Sequence, residues 1–217
     1  MKEPRSLLDV APVMPVIRVR RAADAAPVAR AVAAAGLPLV QVALDAPAAL
    51  DAIAHIADEA PHVIVGAGAV SRPDEPAQAR AAGAEFLVAT AARADLCTAM
   101  RDTELPHLPG ATSAAQAAAL LDDGYTDLAL PLAAGTGGLR LLRALASFVP
   151  DARFLVSGGI SATDLTGYLA ARNVGCVGAD WLAPADAVRR RDWDRIRRLA
   201  DAALKLSTPT VAAVRAL

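Results

Sequence analysis

Short runs rich in Val, Ile and Leu recur along this chain at 13–19, 38–44, 62–68, 85–90, 105–110, 126–132, 152–158 and 174–179. Between them lie segments at 22–35, 48–59, 74–82, 92–101, 113–123, 137–148 and 161–172, where apolar residues, mostly alanine, are interleaved with Arg, Asp and Gln. The first pattern predicts strands buried on both faces, and the second predicts amphipathic helices. A last helical segment is predicted from about 185 to 205.

Strands and helices in strict alternation predict a parallel sheet with helical crossovers. Eight such pairs in 217 residues fit a single-domain α/β fold, a compact (β/α)₈ barrel, with a doubly wound sheet as the alternative. The run "LPHLPG" (105–110) is the weakest strand, because its two prolines restrict pairing. Residues 1–206 are expected to form the barrel, with 207–217 as a peripheral tail.

Composition narrows the picture. Lys+Arg number 22 against Asp+Glu 23, so no basic face suited to nucleic acid is implied. Alanine-rich stretches such as "ARAVAAAG" are interrupted before they reach the length of a membrane span. The first residues, "MKEPRSLLDVAPVMPVIRVRR", match neither a signal nor a transit peptide, and a cytoplasmic protein is expected. Cys97 and Cys176, far apart in apolar contexts, read as buried thiols rather than a disulfide or metal pair.

One composition detail bears on chemistry. Lys2 and Lys205 are the only lysines, and arginine, always protonated, cannot replace lysine as an amine nucleophile. In a barrel, ligand chemistry belongs at the C-terminal ends of the strands. Arg18, Gln41, Asp45, Ala67 to Ala69, Thr90, Pro109, Gly110, Ala129, Pro131, Ser157 to Gly159 and Asp180 fall there. The stretch "GYTDLALPLAAGTGG" (124–138) has the form of a strand followed by a glycine-rich loop that opens a helix. After Asp127 its one reactive side chain is Thr136, and the "GTGG" turn alone is a weak dinucleotide signal.

The pieces "PVIRV", "DAIAHIADEAPHVIVGAGAV", "AAGAEFLV", "LPHLPGATSAAQA", "FLVSGGIS" and "VGADWLAPADAVRRRDWDRI" resemble the KDPG/KHG aldolases, from about residue 7 to 204. These are class I pyruvate aldolases that cleave 2-keto-3-deoxy-6-phosphogluconate or 4-hydroxy-2-oxoglutarate. The resemblance implies a (β/α)₈ barrel that assembles as a homotrimer, with no cofactor. It also implies that the Schiff-base lysine falls at Ala129, the proton-shuttling glutamate at Gln41 and a phosphate-contacting arginine at Asp45. The family's threonine falls at Ala69, and a phosphate-contacting serine at Asp180. Arg18, Ser157, Gly158 and Gly159 survive as ligand-binding positions.

These departures predict a degenerate site. Alanine has no amine to condense with a ketone, and glutamine cannot shuttle a proton as a tuned carboxylate does. Each carboxylate–phosphate contact at about 4 Å costs roughly 1 to 4 kcal/mol, depending on how wet the site is. Arg18 either holds a small carboxylate, such as a 2-oxo acid, by a bidentate pair or pairs with Asp45 or Asp180.

Three functions stay open on the sequence. One is an aldolase-family protein without class I chemistry that retains a binding role. Another is a carbon–carbon lyase in which Asp45, Asp180 and Gln41 hold Mg²⁺ or Mn²⁺ as the electron sink. The third is a structural or interaction protein. His55 and His62 fall at the stability end of the third strand and do not converge with His107 at any metal-ligand spacing. "GGIS" (158–161) reads as an anion site at a helix N-terminus. "RRRDWDRIRR" reads as a solvated helix face with Trp193 packing inward.

Overall fold

The computed structural model describes residues 6–132 and 137–215, with side chains described as far as 207. Lys2, Thr136 and the first part of the "GTGG" turn lie outside the described residues. The strands are β1 (Val13–Ile17), β2 (Leu39–Ala43), β3 (Ile64–Val70), β4 (Phe86–Ala89), β5 (His107–Leu108), β6 (Asp127–Pro131), β7 (Arg153–Ser157) and β8 (Val174–Ala179). The crossover helices are α1 (Ala25–Ala33), α2 (Ala49–Glu59), α3 (Glu75–Ala81), α4 (Ala94–Asp102), α5 (Ala114–Asp122), α6 (Gly138–Phe148) and α7 (Leu165–Leu169). Two more, α8 (Ala185–Arg190) and α9 (Trp193–Arg215), end the chain.

The strands form one parallel sheet in the order β5-β4-β3-β2-β1-β8-β7-β6. It closes on itself at the prolines of "LPHLPG". There β5 is two residues long, and the seam to β6 is a single bridge between Gly110 and Ala129. Ala129 N–H donates to Pro109 C=O and Ala129 C=O accepts from Ala111 N–H, both at 2.8 Å. Proline supplies an acceptor but no donor, so the donor at this seam comes from Ala111, beyond the prolines. Gly110 is required there, because a Cβ would lie 2.4 Å from the backbone carbon of Thr90.

The barrel interior is filled by side chains. The Phe86 ring occupies the space that a Cβ on Gly66 would need, at 2.3 Å. Phe86, Phe154 and Met14 are among the largest fully buried groups. The helices bury alanine-rich faces, as in α1, where Ala25, Ala26, Val28, Ala29, Ala31 and Val32 are all buried.

Two helical predictions need correction. The segment predicted at 161–172 contains only the five residues of α7. Ahead of it, Ser161 Oγ bonds to Asp164 at 2.6 Å and to Thr163 at 2.7 Å, side-chain contacts that hold a turn in place of a helical start. The last helical segment is two helices, because Arg191 adopts a left-handed φ of 54°. Asp192 Oδ1 then accepts from Arg195 N–H at 3.0 Å and caps α9. Trp193 packs, partly buried, against the core as expected. The boundary expected after residue 206 falls inside α9.

Candidate active site

The C-terminal ends of the strands surround a cavity of about 150 Å³. Arg18 reaches it from the end of β1, Gln41 from β2, Ala69 from β3 and Thr90 from the end of β4. Ala129 and Pro131, two apart on β6 and therefore on the same face, also line it, as do Ser157 and Gly158 after β7. Gly178 and Asp180, at the end of β8, complete that side.

Gln41 is 5% exposed and its Oε1 has no hydrogen-bond partner. Its amide lies over Gly68, where a Cβ would sit 1.8 Å from Nε2. Glycine at 68 is thus the condition for Gln41 to reach the cavity. Leaving a buried amide oxygen unpaired costs about 1–3 kcal/mol, a burden that a packing residue would have no reason to carry. One residue further on, Ala69 holds a left-handed φ of 55° where the β3–β4 register shifts. That conformation costs a non-glycine residue about 1–2 kcal/mol, and such strained residues cluster at functional sites.

Arg18 is engaged. Its Nε donates to Asp45 Oδ1 at 3.2 Å and to Oδ2 at 3.1 Å. Of the two partners open on the sequence, the structure selects Asp45. Asp180 is exposed and carries no ion pair among the described residues. Asp45 contacts Arg18 from outside the cavity lining, so the charge that faces the cavity is the Arg18 guanidinium with the Asp180 carboxylate.

This pairing bears on the metal-assisted alternative. Both oxygens of Asp45 accept from Arg18, so the carboxylate pair expected to ligate Mg²⁺ or Mn²⁺ is not assembled. No group of three or more His, Cys, Asp or Glu among the described residues is placed to hold a metal ion. The histidines lie elsewhere. His55 Nδ1 is 2.7 Å from Glu59 Oε1 along α2, and His62 is exposed. His107 Nδ1 is 2.8 Å from Leu105 C=O and so is the donor, leaving Nε2 to accept from the Tyr125 hydroxyl at 3.1 Å.

Ala129, 2% exposed, presents a methyl group to the cavity. Lys205 lies on α9 with its Nζ 2.7 Å from Asp201 Oδ2 and its side chain 75% exposed. None of the described residues lining the cavity is a lysine.

The glycines after β7 serve backbone geometry. Gly158 has φ 100°, and a Cβ there would lie 2.2 Å from Leu132 C=O, while Gly159 has φ 64°. The helix expected to open at these glycines begins only at Leu165, so they do not form its N-terminus. Gly158 touches the cavity, and Gly159 is not among its lining residues.

A small, mostly apolar cavity ringed by strand ends of a (β/α)₈ barrel, one wall of which is Arg18, matches a known architecture throughout its length. Residues 5–199 match the family model "KDPG and KHG aldolase".

The chain belongs to the KDPG and KHG aldolase family. The KHG/KDPG aldolase of Escherichia coli is 37% identical over 200 residues, spanning 92% of this chain and 94% of that protein. The 2-dehydro-3-deoxy-phosphogluconate aldolase of Pseudoalteromonas atlantica is 39% identical over 193 residues, 89% of this chain and 90% of that one. Among solved structures, the KDPG aldolase of Legionella pneumophila, with pyruvate captured as a covalent carbinolamine, superposes with a TM-score of 0.86 at 32% identity. That match covers 91% of this chain and 96% of the other. The aldolase of Zymomonas mobilis gives 0.84 at 37% identity, covering 91% and 94%.

Within this family frame, the strand-end positions named from sequence are largely those that surround the cavity. Val16, Val88, Ala89 and Gly178 also line it and were missed. They carry no reactive group; period-two alternation marks Val16, Val88 and Gly178, each two residues before a named position, but not Ala89.

Proposed function

We propose that this member of the family binds a small carboxylate, a 2-oxo acid or a close relative, and performs no lysine Schiff-base chemistry. The observation that carries the reading is Ala129, a buried methyl lining the cavity, with Lys205 ion-paired on the outer ring of helices. A class I aldolase requires an amine that adds to the substrate ketone and then withdraws electrons from it. Gln41 supports the same conclusion, since an amide holds no transferable proton near neutral pH.

Binding has its own support. The Nε of Arg18 is used by Asp45, while its terminal N–H groups donate to no described residue and the side chain lines the cavity. With Ser157 also lining the cavity, a carboxylate finds donors there. The reading further takes the protein as a cytoplasmic homotrimer of barrels comprising residues 1–206. The Phe148 side chain, 74% exposed at the end of α6, is apolar surface that an assembly would cover. No described helix is long and apolar enough to cross a membrane.

The test is reductive trapping. Purified protein is incubated with pyruvate and borohydride and its intact mass is measured. An unchanged mass is expected; a stable pyruvyl adduct would overturn the proposal. Proton NMR of pyruvate in D₂O, with and without Mg²⁺ or Mn²⁺, is expected to show no catalysed methyl exchange, which covers metal-assisted enolisation as well. Light scattering after gel filtration reads the assembly, with a trimer expected.

A further inference from the structure

Resting on the carboxylate-binding reading above, we infer that the cavity selects a small zwitterion, an α-amino acid of about three carbons, over the 2-oxo acid of the same skeleton. Two independent features converge on this class of ligand: the unpaired carboxylate of Asp180 and the unpartnered buried amide of Gln41.

The charges come first. Arg18 and Asp180 both line the cavity, and Arg18 is already neutralised in part by Asp45 at 3.1 Å. Asp180 has no ion-pair partner among the described residues. The site as a whole is therefore negative by one formal charge. A dianionic ligand meets repulsion there, whereas an ammonium group meets an unclaimed carboxylate. A ligand bearing both charges matches the wall: its carboxylate toward the terminal N–H groups of Arg18, its ammonium toward Asp180.

The second feature is the amide. Gln41, 5% exposed, lines the same cavity with no protein partner for Oε1, and neither amide atom is bonded to a described side chain. A primary amide offers two donors and an acceptor, and rotation about its terminal torsion exchanges their places. A 2-oxo acid presents acceptors alone, so it satisfies the Gln41 N–H groups and leaves Oε1 orphaned. An α-amino acid presents a donor beside its acceptors and satisfies both. Because Asp180 is exposed, its attraction is screened; the buried amide supplies the discrimination, because a missing partner costs most where water is excluded.

Size sets the class. A volume of about 150 Å³ corresponds to roughly five waters at ~30 Å³ each, room for a three-carbon acid. The apolar lining includes Val16, Val88, Ala89, Ala129 and Pro131, which suit a methyl side chain.

The experiment compares L-alanine, pyruvate and propionate by isothermal titration against the full chain at fixed ionic strength. Propionate measures the carboxylate alone, pyruvate adds the ketone and alanine adds the ammonium. L-Alanine is expected to bind about tenfold more tightly than either of the others, the scale of one charge-assisted hydrogen bond to a buried partner. Gln41→Leu is expected to remove most of that preference, and Asp180→Asn, at its screened position, a smaller but measurable part of it. Asp180 is exposed, so its variant keeps the inference testable even where Gln41→Leu fails to fold. Equal binding of all three acids would overturn this inference and leave the carboxylate reading standing. A preference for alanine that survives both substitutions would overturn it as well. Binding of none of the three would sink both.

Discussion

Arg18, at the end of the first strand, and Asp45, after the second, are 27 residues apart in sequence and joined by two hydrogen bonds from one Nε, at 3.2 and 3.1 Å. The register that places Val16 beside Gln41 and Ile17 beside Val42 brings their loops together. Both side chains are about half exposed, 47% and 53%. Such a pair contributes little to stability, ~0–1 kcal/mol, and its effect is on ligand choice.

Removing the carboxylate separates these roles. Asp45→Ala is expected to lower stability by at most about 1 kcal/mol while raising the affinity for small anions severalfold, because Arg18 regains its Nε donor and full charge. Chemical denaturation and titration with pyruvate or inorganic phosphate check this. A large loss of stability with no gain in anion binding would show that the pair is structural.

Restoring an amine tests the lysine argument from the other side. Ala129→Lys is expected to place an ammonium group in a buried position whose Cβ faces the cavity, and desolvation there lowers the amine pKa toward neutrality. Borohydride trapping with pyruvate should then give an adduct mapped to position 129 that the parent protein lacks. Adding Gln41→Glu should accelerate methyl exchange in D₂O further, because a proton shuttle is then present.

Gly68 is predicted to be a binding position without touching ligand. A Cβ there would lie 1.8 Å from Gln41 Nε2 and 2.4 Å from its Cγ, so the whole side chain would have to move. Gly68→Ala should therefore displace the amide at a stability cost of about 1–3 kcal/mol and reproduce the ligand-binding loss of Gln41→Leu. Titration of both variants with L-alanine and propionate compares them.

The two thiols should be inert in the native state. Burial pushes Cys176 up to about 12 from an ordinary 9.0, and also raises Cys97. A raised acid pKa keeps its proton in the folded chain while the unfolded chain loses it. The stability associated with Cys176 is thus fully present below pH 9 and is lost between pH 9 and about 12. Desolvation raises Tyr125 and Tyr168 in the same direction. Urea midpoints measured from pH 8 to 11 should fall with pH, and Cys176→Ala should flatten the slope by up to about 1.4 kcal/mol per pH unit. An unchanged slope would mean that Cys176 ionises in the native state.

Much of this protein is legible one segment at a time. The alternation of short Val/Ile/Leu runs with alanine-bearing helices set all eight strands close to their observed limits, because burial on two faces of a parallel strand leaves a local hydropathy mark. The absence of a lysine at 129 is equally local: no tertiary arrangement gives alanine an amine. The break at Arg191 was not legible, because nothing in "RRRDWDRIRR" announces a left-handed arginine before the Asp192 cap appears. The short α7 was missed for a similar reason, since the Ser161–Asp164 contact competes with helix by side-chain geometry rather than by pattern.

What only the tertiary structure decided is which groups meet. Sequence determined that Arg18, Asp45 and Asp180 all sit at strand ends; it could not choose between two carboxylates for one guanidinium. The barrel did so by its strand register, which brings Asp45 to Arg18 and leaves Asp180 unpaired. It likewise took the fold to show that Gly68 clears the way for Gln41, and that the proline-bound strand closes the barrel through one bridge at Ala129. Hydrophobic period is written along the chain, whereas pairing between distant residues depends on register and torsions that exist only once the barrel has closed.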